Sequence, residues 1–154
     1  MDALRVPTLP IETEILLTGG ERLTGVLRLP AAAADHGGPP SLAEWLNGPD
    51  AFFPLQPRGR DDCLILNKRE LLVLSAPSNS GGPDTPEGVD VPRRSVTVEL
   101  EGFRYSGVVT VDLPAQHSRT LDVFNRPERF LTLHAGDVDH VVNKDRVGRA
   151  MEGE

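Results

Sequence analysis

The sequence is poor in cysteine, in basic residues and in long apolar runs. The one cysteine, Cys63, cannot form an intramolecular disulfide, and its apolar neighbours at 64–66 predict a small core residue. Basic residues number 16 against 23 acidic ones. The net charge of −7 argues against a large nucleic-acid footprint, because neutralising phosphates supplies most of the non-specific affinity. No run could span a bilayer, and residues 1–10 lack signal-peptide features, so we expect a cytoplasmic protein without membrane insertion.

The sequence does contain an internal repeat with two copies. The run 46–55 recurs in altered form as the run 124–133, and an Asn-Lys pair follows each copy, at Asn67-Lys68 and at Asn143-Lys144. The spacing between matching positions shortens along the chain, but only between strand-like segments, as expected for loop deletions. A repeat of this size predicts architecture before any chemistry is considered.

The repeat predicts two small domains at residues 1–76 and 93–154, joined by a linker at 77–92 that is rich in Ser, Gly and Pro. Apolar residues alternate at Val96, Val98 and Leu100, which is typical of a half-buried strand leading into a hairpin turn. Extended through both copies, the pattern predicts five short strands per copy, with a short helix after the second strand. Two exposed sheet edges favour curling into a small barrel, so the predicted fold is mainly β with two tandem five-stranded barrels.

Each predicted helix has start and stop signals. Ser41 and Glu44 form a capping box at the start of the first helix. Asn47 and Asn125 are each followed two residues later by proline. This predicts an asparagine in the left-handed conformation just past the helix, and a proline that prevents its continuation.

These segments resemble a known class of folds. The hairpin at 96–111, followed by the strand, turn and strand around Asn143-Lys144, resembles Sm-like and SH3-like small β-barrels, and the matching segments of copy one do so too. The pattern is also similar to small uncharacterised bacterial domains. Sm-like RNA binders hold a base with an Asp or Asn pair after the first hairpin and an Arg-Gly in the last turn. Asp112 and Asn143-Lys144 stand near those places here, so the resemblance implies RNA binding as an alternative function.

Catalytic and metal-binding patterns are sparse. The densest set of metal-ligand types is His134, Asp137, Asp139 and His140, in a segment where polar residues are also expected for a hairpin turn. No Gly-x-Ser-x-Gly elbow and no Gly-rich phosphate loop is present. We therefore expect a non-enzyme without a cofactor, catalytic residues or metal ligands, and keep a metal-binding protein or enzyme subunit as a second alternative.

Positions at which the two copies differ are the best guide to function in a single sequence, because the shared fold explains the shared positions. Three arginines surround the second helix where copy one has Ser41, Gly48 and Ala51, and Trp45 stands opposite Val123. The arginines suit either a solvated face or an anionic contact, and Trp45 suits either the core or an interface anchor. The candidate interaction residues are therefore Trp45, Arg119, Arg126 and Arg129.

Together these patterns predict a non-catalytic protein-binding or scaffold module within a larger bacterial assembly. The expected partner is a protein or larger complex whose identity the sequence does not give, and self-association into a homo-oligomer stays open. An Sm-like nucleic-acid binder is the first alternative.

Overall fold

The computed structural model describes residues 8–31, 38–78, 80, 92–111 and 119–153. Asp112 and most of the linker predicted at 77–92 lie outside the described residues. Copy one consists of β1 (Thr8–Leu17), β2 (Arg22–Pro30), α1 (Leu42–Leu46), β3 (Phe52–Pro57), β4 (Leu64–Asn67) and β5 (Leu71–Pro77). Copy two consists of β6 (Arg93–Leu100), β7 (Phe103–Thr110), α2 (Thr120–Phe124), β8 (Phe130–Ala135), β9 (Val138–Asn143) and β10 (Arg149–Glu152).

All ten strands belong to one open sheet whose assigned pairings are antiparallel, in the order β10-β6-β7-β8-β9-β5-β1-β2-β3-β4. Each copy repeats the same internal order, with its fifth strand beside its first and its fourth strand at the far edge. The two copies join where β5 of copy one pairs with β9 of copy two. We call this junction the seam.

The prediction of a mainly β chain is confirmed, and a short helix follows the second strand of each copy. The sequence predicts two separate five-stranded units, whereas the strand pairing joins them into one sheet. The physical reason is edge satisfaction: β5 and β9 each present unpaired backbone groups, and pairing them removes two exposed edges at once.

Each copy has its own hydrophobic core, and each core takes in side chains from the other copy. The first core contains Ile15, Leu74 and most apolar residues of copy one, together with Phe130 and Val141 of copy two. The second core is built mainly from copy two and takes in Leu16, Leu72 and Val73 of copy one. The alternation along β1 and β5 explains this exchange, because successive side chains of a strand point to opposite faces.

The helix signals are confirmed at the start of α1 and in where both helices end, but the conformation predicted for the asparagines is wrong. The Glu44 backbone amide donates to the Ser41 hydroxyl at 3.1 Å, and the Ser41 amide donates to the Glu44 carboxylate at 3.3 Å, which completes the capping box. Asn47 has φ −78° and Asn125 has φ −89°, so neither adopts the predicted left-handed conformation. Asn47 is instead held by hydrogen bonds across the seam.

The repeated Asn-Lys pair begins a 3₁₀ turn before the last strand of each copy. The side-chain oxygen of Asn67 accepts from the Arg69 amide at 2.9 Å, and that of Asn143 accepts from the Asp145 amide at 3.0 Å. Each lysine then donates to carbonyls near the end of its own copy's helix, most closely from Lys144 to the Arg126 carbonyl at 2.8 Å. A cation at a helix C-terminus satisfies carbonyls that lack partners within the helix.

Two matching glycines lie where the second strand of each copy crosses the third. A Cβ on Gly25 would overlap the backbone carbonyl oxygen of Gln56, and one on Gly107 would lie 2.9 Å from the Cβ of Leu133. The strand pairing is correspondingly short, with two residue pairs between β2 and β3 and one between β7 and β8. Glycine permits this close backbone approach because it has no side chain.

Candidate interaction surface

Trp45 lies half-buried on α1 and packs against the first core. Its ring meets that of Phe53 edge-on, with centroids 6.1 Å apart and planes at 79°. The helix also contacts β8 of copy two. Of the two readings of Trp45, this packing favours the core, and its use as an interface anchor stays a prediction.

The three arginines around α2 each have a carboxylate partner nearby. Arg119 contacts Asp122 at 3.2 Å, Arg126 contacts Glu128 at 3.6 Å, and Arg129 contacts Asp145 at 3.0 Å. The hydrogen bond that Arg119 donates to the Asp122 carboxylate, followed by the charge of that carboxylate, raises the pKa of the Arg119 guanidinium. These ion pairs locally neutralise the cluster, which favours the solvated-face reading over a strong anion site.

The seam is held by two asparagine side chains as well as by strand pairing. Asn47 of copy one donates to the Phe130 carbonyl at 3.0 Å and accepts from the Phe130 amide at 2.8 Å. Asn143 of copy two is buried and donates to the Leu71 carbonyl at 2.9 Å and to the Lys68 carbonyl at 3.4 Å. Both motifs that mark the repeat therefore also fix how the copies meet.

A groove of about 680 Å³ crosses the seam on one face of the sheet. Its apolar surface comes from Phe103, Tyr105 and Val138 together with Ala76 and Pro77. Charged side chains also line it, and most of these are already paired: Glu14 with Arg22 at 3.4 Å, Glu12 with Arg58 at 3.0 Å, and Arg104 with Glu99, which lies outside the groove, at 2.5 Å.

Aromatic contacts order the middle of this groove. The Arg22 guanidinium lies over the Phe103 ring at 5.5 Å from its centroid, and the Tyr105 ring meets the His140 ring edge-on at 4.9 Å. Half-exposed aromatic rings held by neighbours present contact area at a small entropy cost, which is a common property of protein interfaces.

His140 belongs to this groove and also crosses the seam. Its Nδ1 lies 2.7 Å from the Ser75 hydroxyl, to which it is paired in the strand register. Burial lowers the pKa of His140 below 6.5, although the charges of Asp139 and Glu14 oppose this shift. The imidazole is therefore neutral at neutral pH.

We expect His140 to make the protein less stable in mild acid. Because its folded pKa lies below the ordinary value of 6.5, its contribution to stability is complete above that value and is lost as pH falls through the folded pKa. Replacing His140 with Gln should flatten the fall in urea midpoint between about pH 7.5 and about pH 5.5. An equally steep fall in both proteins would contradict this assignment.

The metal-ligand types noted in the sequence do not converge on one point. His134 Nδ1 lies 2.9 Å from an Asp139 carboxylate oxygen, whereas His140 faces Ser75 on the neighbouring strand. Among the described residues, no group of three or more His, Cys, Asp or Glu side chains is arranged to hold a metal ion. Among the described residues, the Asp139 carboxylate is hydrogen-bonded to His134, whereas His140 is hydrogen-bonded to Ser75.

Cys63 is exposed in the segment before β4, so the prediction of a core residue is wrong. The apolar run after it forms β4, which lies at the end of the described sheet and pairs there with β3. An edge strand leaves the residues before it open to solvent even when they are apolar.

Comparisons of the chain with protein-family models, with curated proteins and with solved structures found no match. In the part of the chain that the structure describes, no helix is long and apolar enough to cross a membrane.

No pattern in the sequence predicts the groove, because its lining comes from both copies. Its aromatic residues, Phe103 and Tyr105, belong to one copy, whereas Arg22 and Ser75 belong to the other. A signal was present, since Phe103 and Tyr105 alternate with the exposed Arg104 and Ser106 and are only partly covered by the second core. The residues of copy one that face Phe103 and Tyr105 are set by the seam. The repeat alone does not specify which strand edges pair.

Proposed function

We propose that this chain is a cytoplasmic, non-catalytic module that binds a protein partner within a larger assembly, through the groove across the seam. Each copy is further proposed to curl around its own core as a small barrel-like unit, which is supported by the two separate cores. The observation that carries the binding proposal is the groove's composition: apolar and aromatic side chains with paired charges around them. Protein interfaces combine an apolar centre with a polar rim in the same way.

The partner that fits is an extended protein segment with an apolar side chain between charged or polar ones. The apolar residue would cover Phe103 and Val138, and its charged neighbours would exchange partners with the ion pairs Glu14–Arg22 and Glu12–Arg58. Such exchange costs little because exposed ion pairs contribute little stability.

RNA is the competing occupant because half-exposed aromatic rings beside arginines can also stack bases. Phe103 and Tyr105 with Arg22 meet that description. The net charge of −7 opposes the phosphate contacts that supply most RNA affinity, so a protein segment is the better-supported partner.

Site-specific photo-crosslinking tests the proposal. A photoreactive benzoylphenylalanine in place of Tyr105, in the cell that makes the protein, should yield a discrete adduct with another protein. The same group in place of Asp50, which is exposed outside the groove, should not yield that adduct. Val138→Arg should abolish the adduct, because it places a charge on an exposed wall of the groove while leaving the cores intact.

Three results would count against protein binding at the groove. They are no protein adduct from position 105, the same adduct from position 50, and an adduct with RNA alone. The last result, with salt-dependent retention on single-stranded RNA that Val138→Arg removes, would establish the competing function instead.

A further inference from the structure

The seam uses only half of the edges that the repeat provides. Copy one contributes β5 and copy two contributes β9, which leaves β4 and β10 at the two ends of the sheet. In the repeat, β4 is the counterpart of β9, and β10 is the counterpart of β5. Each end of the sheet therefore carries a strand that corresponds to one side of the seam: β4 corresponds to β9, and β10 corresponds to β5.

Exposed apolar side chains cluster at counterparts of positions buried near the seam. Ile65 is 73% exposed and its counterpart Val141 is 0% exposed, while Phe52 is 52% exposed and its counterpart Phe130 is 3% exposed. Leu121 on α2 is 58% exposed, and the matching Ala43 is 8% exposed within the core that Phe130 enters. These three positions account for most of the large apolar side chains exposed among the described residues, which are Phe52, Ile65, Leu121, Val138 and Met151.

Over the described ranges, the asparagine side chains that form hydrogen bonds across the seam have counterparts that form none across a strand edge. Asn47 brackets the Phe130 backbone across the seam, whereas its counterpart Asn125 is exposed and makes no side-chain hydrogen bond within the described residues. Asn143 donates across the seam to the Leu71 carbonyl. Within the described part of the chain, its counterpart Asn67 only accepts from Arg69, and its amide hydrogens have no acceptor there.

Charges at the seam are complementary when the roles of the two copies are exchanged. Arg146 of copy two donates to the Arg69 carbonyl at 3.0 Å and contacts the Glu70 carboxylate of copy one at 3.4 Å. Arg146 and Glu70 occupy matching positions of the repeat. A second junction of the same kind would again place a Glu70 beside an Arg146, so the ion pair is preserved rather than replaced by a like-charge contact.

We propose that β10 of one chain pairs antiparallel with β4 of a second copy of this chain, in the register of the seam. Leu74 lies opposite Val141 there, which places Ala150 opposite Ile65 of the next chain. Phe52 of the next chain would then enter the space beside α2 and be bracketed by Asn125. This inference goes beyond the proposed partner binding and does not depend on it. Since the junction joins unlike edges, it adds chains one after another and gives either a closed ring or an open filament.

The junction between chains is weaker than the seam within a chain. At the seam, Leu16 and Val73 of copy one pack into the second core. Their counterparts in copy two are Glu99 and Arg149, which form an ion pair at 2.9 Å. Charged residues on an edge strand reduce pairing with other chains. Association is therefore expected to depend on concentration.

Sedimentation or light scattering from micromolar to millimolar concentration tests the proposal. The wild type should form species larger than a dimer, and Ile65→Lys should weaken their formation by about tenfold or more, because the junction would cover an unpaired ammonium group. Asn125→Asp should weaken association as well while leaving the unfolding of the monomer unchanged. Val138→Lys, which also charges an exposed apolar position but lies away from both end edges, should leave association unchanged.

Cysteine crosslinking tests which edges meet. In a Cys63→Ser background, one protein carries Ile65→Cys and another carries Ala150→Cys. Directly opposed residues in antiparallel strands lie about 4.5–5.5 Å apart at Cα, which permits a disulfide. Oxidation of the mixture should give the mixed disulfide in excess over either self-product.

Several outcomes would overturn the proposal. They are a monomer throughout the concentration range, equal weakening by Val138→Lys and Ile65→Lys, and predominant self-crosslinking of the Ile65→Cys protein, which would indicate β4 pairing with β4. Photo-crosslinking from position 105 is unaffected by these outcomes, so failure here is distinguishable from failure of partner binding.

Discussion

Replacing Gly25 with alanine is expected to destabilise the fold by about 3 kcal/mol or more, because the new methyl group would overlap the Gln56 carbonyl oxygen. That oxygen is part of the backbone of β3, and Leu55 and Pro57 on either side of it are buried. Neither strand can move aside without opening the first core. A urea unfolding curve at fixed protein concentration measures the loss.

The repeat supplies a graded control for this prediction. Gly107 is the counterpart of Gly25, and alanine there would meet the Leu133 Cβ at 2.9 Å and the His134 oxygen at 3.0 Å, so the expected cost is about 1–3 kcal/mol. Gly148→Ala should change stability by about 0.5 kcal/mol or less, since its nearest neighbour would lie at 3.8 Å. Equal costs at Gly25 and Gly148 would show that the strand crossing is not tight.

The elements within one copy were predictable because they depend on local pattern. The alternation at Val96, Val98 and Leu100 gave the strand before the Glu101-Gly102 turn, and the turn is confirmed by positive φ values at both residues. The capping box at Ser41 likewise involves residues that are close in sequence. Local hydrogen bonding and side-chain alternation are properties that a short segment carries with it.

The joining of the copies was not predictable by the same means. The helix-stop pattern does not reveal that the Asn47 side chain donates to and accepts from the backbone of Phe130, which is distant in the sequence. Every strand has backbone groups along both edges, so a hydrophobic pattern shows which face is buried but not which edges pair. The same limitation hid the groove, whose walls come from both copies.

The candidate residues were limited by a related effect. The differences between the copies point to the arginines around α2, but they do not reveal that each has a carboxylate beside it, as Arg129 has Asp145. Glu128 lies close to Arg126 in the sequence, whereas Asp145 comes from the 3₁₀ turn after β9. Counting the arginines in the sequence therefore overestimates the positive charge around α2, because the carboxylates beside them offset it.

Asn143→Ala is expected to destabilise the protein by about 2–3 kcal/mol, because two buried carbonyls lose a donor and one part-buried amide loses its acceptor. The lost hydrogen bonds are those to the Leu71 and Lys68 carbonyls of copy one and to the Asp145 amide of copy two. The two carbonyl bonds are buried beside an asparagine that is almost fully enclosed, so their loss carries a desolvation cost. Urea unfolding below the concentration at which chains associate measures the change.

Asn67→Ala is the matched control, because Asn67 holds the same place in copy one but caps only the Arg69 amide, at an exposed position. Its expected cost is about 1 kcal/mol or less. Both variants lose the cap of a 3₁₀ turn. The difference between their changes in unfolding free energy therefore measures the contribution of the Asn143 hydrogen bonds across the seam. Equal costs would mean that the hydrogen bonds across the seam contribute nothing net, and that strand pairing and core exchange alone hold the copies together.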